Sequence, residues 1–250
     1  MQKKISVLDV MIDAVTMSEA VSILEQYMSE PKAHLIATAN AEMVMMAQQD
    51  KELAEVLRAA DLIVPDGAGV VWAARYNGLH MPERVAGYDL VQQFLAAGAK
   101  KDYRFFLLGG APGVAEKAKA AAEFRYPGVQ IVGTQNGFFT KDNEKELLDR
   151  VNASGANVLL AALGIPRQEK WLYKNMRELN ISLAIGVGGT FDVMAGTVKR
   201  APLWMQQANL EWLFRLVRQP QRALRMLALP HFVIKVMAQK TLDKSKLGIL

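Results

Sequence analysis

The stretch "LIVPDGAGVV", residues 62 to 71, ends an apolar run on Asp66 and follows it with Gly67 and Gly69. A carboxylate held at the end of a buried strand can take the proton from an attacking hydroxyl, and glycines beside it let backbone approach a ligand. Taken alone, Pro-Asp-Gly is also a favoured turn tripeptide. The same two readings recur along the chain. Thr38 and Asn40 stand at the end of the run at 34–39 and can cap a helix. Arg84 and Asp89 in "ERVAGYDL" can pair as loop ions near a helix start, and Gln168 can be an early helical residue satisfied by water. Gly109, Gly110 and Gly113, then Gln135 to Gly137, then Gly164 and Arg167, then Gly188, Gly189 and Asp192 complete the set. Each of these groups follows an apolar, β-branched run, and a whole rim of small and hydrogen-bonding residues argues for a pocket where one argues only for a turn.

The elements that must position them alternate. Strands are expected at Ile5 to Val10, His34 to Ala39, Leu62 to Val64, Arg104 to Leu108, Val129 to Val132, Val158 to Leu163 and Leu183 to Val187, several of them apolar on both faces as buried parallel strands are. Helical patterns lie between. Thr16 with Glu19 forms a capping box ahead of Ala20 to Met28, Asp50 caps Lys51 to Ala60, and Pro166 precedes Gln168 to Leu179. Strand, turn and helix in this succession predict an α/β fold: a Rossmann-like, mostly parallel sheet with helices on both faces over residues 1–199. Ligands of such sheets sit beyond the carboxyl ends of the strands, which is where the polar rim falls.

Composition narrows the class. The chain has 250 residues, 51% hydrophobic and 22% charged, with no cysteine. That is the profile of a folded soluble protein, it removes disulfides and thiolate sites together, and it fits a reducing cytoplasm. Charges every few positions in the first thirty residues leave neither a signal peptide nor a membrane span expected there.

The charge is unevenly spread. From Lys199 to Leu250 ten Lys and Arg face only Glu211 and Asp243, a net charge of +8, whereas the rest carries −3. Pro202, Pro220 and Pro230 divide this tail into helical pieces, "LWMQQANLEWLFRLVRQ", "QRALRMLAL" and "HFVIKVMAQK". Arg215, Arg218, Arg222 and Arg225 recur at steps of three and four among leucines, tryptophans and methionines. Residues 200–250 therefore read as a basic amphipathic helical appendage, suited to an anionic membrane surface though interrupted by too much charge to span one. A helical hairpin packed on the core, arginines to water, is the alternative. Exposed apolar tail surface also leaves a homo-oligomer open. Nucleic acid is disfavoured, because the basic residues follow a helical apolar pattern and not a strand bearing exposed aromatics.

Two familiar chemistries find little support. "LLGGAPGVAEKA", residues 107 to 118, sets glycines before a helix but spaces them Gly-Gly-x-x-Gly, and the following strand ends without the acid that would grip a dinucleotide's ribose. A phosphate-binding turn survives; an NAD-dependent oxidoreductase gains nothing. His34, His80 and His231 are far apart and no Asp-x-Asp pair occurs, so no metal and no cofactor is expected, and a diphosphate would be neutralised by helix amides, Arg84, Arg167 and tail arginines.

The segments "ATAN" (37–40), "PDG" (65–67), "RVAGYDL" (84–90), "FFLLGGAPG" (105–113), "NGFF" (136–139), "LGIPRQEKW" (163–171), "GVGGTFDVMAG" (186–196) and "RAPLWMQQANLEWLFRL" (200–216) come in the order seen in the WecG/TagA/CpsF glycosyltransferases, family 26, which the chain resembles over nearly its whole length. It departs in Phe138, where many members have Tyr, and in Arg167, where Lys is common. The resemblance implies inverting, metal-independent transfer of a sugar from a UDP-sugar donor to a polyprenyl diphosphate-linked sugar acceptor, by an enzyme peripheral on the inner face of the cell membrane. In the teichoic-acid branch N-acetylmannosamine passes to N-acetylglucosaminyl diphosphoundecaprenol in a β-1,4 linkage. It places the general base on Asp66, donor and active-site residues on Thr38, Asn40, Arg84 and Gln168, and tail arginines on Arg215, Arg222 and Arg225. The glycines at 109, 110, 137, 188 and 189 join them as expected substrate-binding positions.

Overall fold

The computed structural model describes residues 3–218 and 227–246, of which Arg215 and residues 242–246 are described as backbone alone. Six strands, β3 (His34–Ala39), β4 (Leu62–Pro65), β5 (Arg104–Gly109), β6 (Gln130–Gln135), β7 (Val158–Ala162) and β8 (Leu183–Gly186), form one sheet in the order β4-β3-β8-β7-β5-β6. Every described pairing in it is parallel. β1 (Lys4–Val7) and β2 (Val10–Asp13) form a separate antiparallel hairpin.

The hairpin corrects the single strand expected from Ile5 to Val10. Leu8 and Asp9 both take left-handed backbone, φ 46° and 64°, and turn the chain back on itself. Apolar residues continue through the turn at Val7, Leu8 and Val10 with no glycine or proline to mark it, which is why it reads as one strand. Asp13, fully buried at the end of β2, accepts the Ile63 amide at 2.8 Å and fastens the hairpin to β4.

Parallel strands covered on both sides must be apolar throughout, and their side chains divide between two cores by simple alternation. Leu35, Ala37, Ile63, Phe106, Leu108, Leu159 and Ala184 enter one core with the hairpin. Ile36, Leu62, Val64, Phe105, Leu107, Leu160 and Ile185 enter the other. The first is covered by α2 (Ala41–Ala47), α3 (Lys51–Ala59), α4 (Ala68–Tyr76), α7 (Glu144–Ala153) and α8 (Arg167–Asn175). The second is covered by α1 (Met17–Tyr27), α5 (Gly87–Gly98), α6 (Val114–Arg125) and α9 (Thr190–Met194). The capping box of Thr16 and Glu19 starts α1, and Asp50 caps α3 through the Leu53 amide.

Beyond residue 200 the chain is helical: α10 (Leu203–Gln207), α11 (Glu211–Arg218) and α12 (Ala228–Lys246). Pro230 does not break the last piece. It lies in the first turn of α12, where its missing N–H would have had no helical partner. α12 is docked on the α/β body, with Phe232 and Val236 each 1% exposed in the hairpin-side core and Lys240 bonded to the Tyr76 carbonyl. Leu203, Trp204, Val217, Leu227 and Ile234 stay exposed. Among the described residues no helix is long and apolar enough to cross a membrane.

Candidate active site

Because the six strands run one way, their carboxyl ends share an edge, and a cleft opens there beyond β3, β4, β7 and β8. Its cavity volume is about 150 Å³, and it stands open to solvent on one side. Thr38, Asn40, Asp66, Gln168, Gly188 and Gly189 line it together. Six of the residues singled out from sequence, separated by up to 151 positions, are thus brought to one surface.

Each is held by a local device. The Asp66 and Gly67 amides both donate to the Ala39 carbonyl, at 2.9 and 3.3 Å, so the Pro-Asp-Gly turn is pinned to the end of β3. From that turn Asp66 Oδ1 accepts the Gly87 amide at 2.8 Å. Gly87 opens α5, and Ala86 before it supplies no side-chain cap; the carboxylate from the turn after β4 takes that place at a helix end that favours negative charge. Asn40 caps α2, its Oδ1 accepting the Met43 amide at 2.9 Å. Thr38, by contrast, caps nothing: its hydroxyl donates to the Gly186 carbonyl at 3.2 Å and ties β3 to β8. A side chain at Gly87 would meet Thr38 Cγ2 at 3.1 Å, so the absence of one lets α5 start directly over this strand end.

Gln168 is 1% exposed and bonded entirely to protein, which corrects the solvent-facing reading. Its Oε1 accepts the Gly164 and Gly188 amides at 3.2 and 3.1 Å, and its Nε2 donates to Glu169 Oε1 at 2.7 Å. Arg84 and Asp89 are not each other's partners. Arg84 meets Glu211 of α11 at 3.6 Å, and Asp89 takes a bidentate bond from Arg200 at 2.6 and 2.7 Å. Arg200 also stacks on the Tyr88 ring at 4.7 Å and lies 3.9 Å from Glu211.

Arg84 therefore reaches the cleft through Glu211, which lines it. Gly109, Gly110 and Gly137 stand at the neighbouring ends of β5 and β6, outside the lining; the Gly137 amide donates to the Gly110 carbonyl at 2.9 Å. Gly109 has φ 132°, and a Cβ there would fall 2.3 Å from the Ala162 oxygen, so backbone packing alone demands glycine. The Arg215 side chain, Arg222 and Arg225 lie outside the described residues. Sequence reasoning missed Glu42, Tyr88, Thr190, Arg200 and Glu211 in the lining. In the sequence Arg200 and Glu211 read as charges of the tail. Among the described residues no three His, Asp or Glu side chains gather as a metal site would require.

An open parallel sheet with a carboxylate-bearing cleft at its carboxyl edge suits transfer to a hydroxyl, and the sequence defines the class. The chain matches the model of the Glycosyl transferase WecG/TagA/CpsF family over residues 5–246, and it belongs to that family of glycosyltransferases. Two relatives bear the name N-acetylglucosaminyldiphosphoundecaprenol N-acetyl-beta-D-mannosaminyltransferase. That of Bacillus spizizenii is 37% identical over 211 residues, 84% of this chain and 81% of the relative. That of Bacillus subtilis is 32% identical over 221 residues, 88% of this chain and 86% of the relative.

Proposed function

We propose that this glycosyltransferase moves N-acetylmannosamine from UDP-N-acetylmannosamine to N-acetylglucosaminyl diphosphoundecaprenol, forming a β-1,4 linkage for wall teichoic acid, by a single inverting displacement that needs no metal. The two relatives are named for transfer of N-acetylmannosamine to N-acetylglucosaminyl diphosphoundecaprenol, and each aligns with more than four-fifths of the chain. The observation that carries the mechanism is the Asp66 carboxylate, fixed by the Gly87 amide at the cleft beside Thr38, Asn40 and Gln168.

In that reaction the acceptor hydroxyl attacks the anomeric carbon as Asp66 takes its proton. The bond from that carbon to the diphosphate oxygen breaks, UDP leaves with the electron pair, and the anomeric configuration inverts. Charge growing on the leaving diphosphate calls for fixed donors and cations. Arg200 in the cleft and Arg84 behind Glu211 supply positive charge nearby. Arg215, Arg222 and Arg225 would add to it from the tail, and the backbone at Gly188 and Gly189, with Gly109, Gly110 and Gly137 beside them, would complete the donor site. The acceptor's lipid chain suits an enzyme resting on the inner, anionic face of the cell membrane, with exposed Leu203, Trp204 and Val217 toward the interface.

The test is incubation with a panel of UDP-sugars and a short-chain lipid diphosphate acceptor, followed by product mass. Addition of one N-acetylhexosamine from the N-acetylmannosamine donor alone supports the reading. Preference for a uronic acid or a plain hexose corrects the substrate, and no transfer from any donor refutes the function.

A further inference from the structure

Glu169 is bonded to Gln168, which lines the cleft, and takes no part itself in the transfer chemistry. It is 2% exposed, and its Oε2 has no hydrogen-bond partner among the described residues. Burial pushes its carboxyl up to about 7, against which the Gln168 amide pulls only in part. The charged neighbours on its own helix are engaged elsewhere: Lys170 with Asp50 and Glu52, Lys174 with Glu144, and Arg167 with the Gly137 carbonyl. The ionisable groups on other elements packed against α8 include His34 of β3, Lys51, Glu52, Glu55 and Arg58 of α3 and Glu144 of α7, while β7 and β8 carry none. None of them makes a described bond to Glu169. A buried carboxyl without a cation costs stability, so its retention calls for a task.

The task is visible in Gln168. Its Oε1 is committed to two glycine amides, one in the turn after β7 and one in the turn after β8, and both turns line the cleft. Nε2 is thereby turned inward, into space so tight that a Cβ on Gly186 would fall 2.8 Å from it and 3.0 Å from Glu169 Oε1. Glu169 Oε1 is the acceptor that the amide has among the described residues. Without it a buried N–H₂ is left unpaired, and Gln168 rotates to find another partner, releasing the glycine turns.

We propose that Glu169 is a positioning residue for the transfer reaction: by accepting from Gln168 Nε2 it holds Gln168 Oε1 on the Gly164 and Gly188 amides and so fixes the two turns that shape the cleft. The proposal rests on the reading of this cleft as the active site only where activity is the readout. The experiment compares Glu169→Gln, which keeps an acceptor oxygen, with Glu169→Met, which fills the space without one.

In amide NMR spectra of the labelled protein, the Gly164 and Gly188 resonances stay in place in Glu169→Gln and shift in Glu169→Met. Gly186→Ala, which drives a methyl into the same pair, shifts them by a second route. In transfer assays Glu169→Met loses about 10- to 100-fold in kcat/KM, the scale of a misplaced reacting geometry, while its thermal unfolding temperature stays at or above wild type. Glu169→Gln stays within about threefold. Unmoved glycine resonances in Glu169→Met, wild-type kcat/KM in that variant, or equal damage from Gln and Met would each overturn the proposal. Absence of any sugar transfer by the wild type would refute the functional reading instead, and the glycine resonances would still decide this one.

Discussion

Asp66 and Gly87 meet across 21 residues of chain, the Asp66 carboxylate accepting the first amide of α5 at 2.8 Å. That bond fixes where a proton can be taken in the cleft, because the turn bearing Asp66 is itself bonded to the end of β3. A carboxylate oriented from both sides needs little rearrangement when a hydroxyl attacks, which is the economy expected of a positioned base.

The carboxyl of Glu169 makes stability depend on pH in a stated direction. Burial raises its pKa from the ordinary 4.5 to about 7, so between those limits the folded protein holds a proton that the unfolded chain does not. Folding stability from this group is therefore full below pH ~4.5 and falls as pH rises through ~7. Urea unfolding of wild type and Glu169→Gln at several pH values is expected to show the variant gaining about 3 kcal/mol relative to wild type across that window. A difference that does not change with pH would contradict it.

Arg200 and Asp89 join the start of the tail to the start of α5 through two short bonds, 2.6 and 2.7 Å. Asp89 is 40% exposed at its side chain, so solvent screening limits the pair to about 1 kcal/mol of coupling in a double-mutant cycle of Arg200→Gln and Asp89→Asn. Loss of the cation from the cleft should nonetheless lower kcat/KM in Arg200→Gln by about tenfold or more. Turnover unchanged in Arg200→Gln would remove Arg200 from the site.

α12 is part of the folded body, and two residues on it report its docking. Phe232 is 1% exposed and packs near Gly69, whereas Ile234 is 63% exposed. Phe232→Ala should cost about 3 to 5 kcal/mol in urea unfolding, as large-to-small changes in a core do. Ile234→Ala should stay within about 0.5 kcal/mol. Equal and small effects would mean that the helix is not docked.

Metal independence predicts that kcat in EDTA stays within about twofold of kcat in magnesium, because arginines and amides carry the leaving diphosphate. Abolition by chelation with rescue by magnesium would overturn this part of the mechanism.

Much of this arrangement is legible in the sequence for a plain reason. Buried parallel strands are apolar without interruption, so the runs at 34–39, 62–64, 104–108, 158–163 and 183–187 mark the sheet, and the polar residues after them mark its rim. The hairpin escapes because its turn uses Leu8 and Asp9 in place of glycine. Arg200 and Glu211 escape because only tertiary contact brings them to residues 111 and 127 positions earlier, Asp89 and Arg84. Glu169 escapes because a carboxylate in the first turn of a helix reads as solvated. Its one signal is position: it precedes Leu172 by three on the face of α8 that is buried with Trp171 and Asn175.

The account turns on Asp66 as the base, and the direct measurement is the rate of product formation by Asp66→Asn with UDP-N-acetylmannosamine and the lipid diphosphate acceptor. Asparagine preserves the shape and an oxygen for the Gly87 amide but accepts no proton. The account predicts an unchanged unfolding transition, a KM for donor within about threefold of wild type, and kcat lowered by about 10²- to 10⁴-fold. A kcat near that of wild type would contradict it.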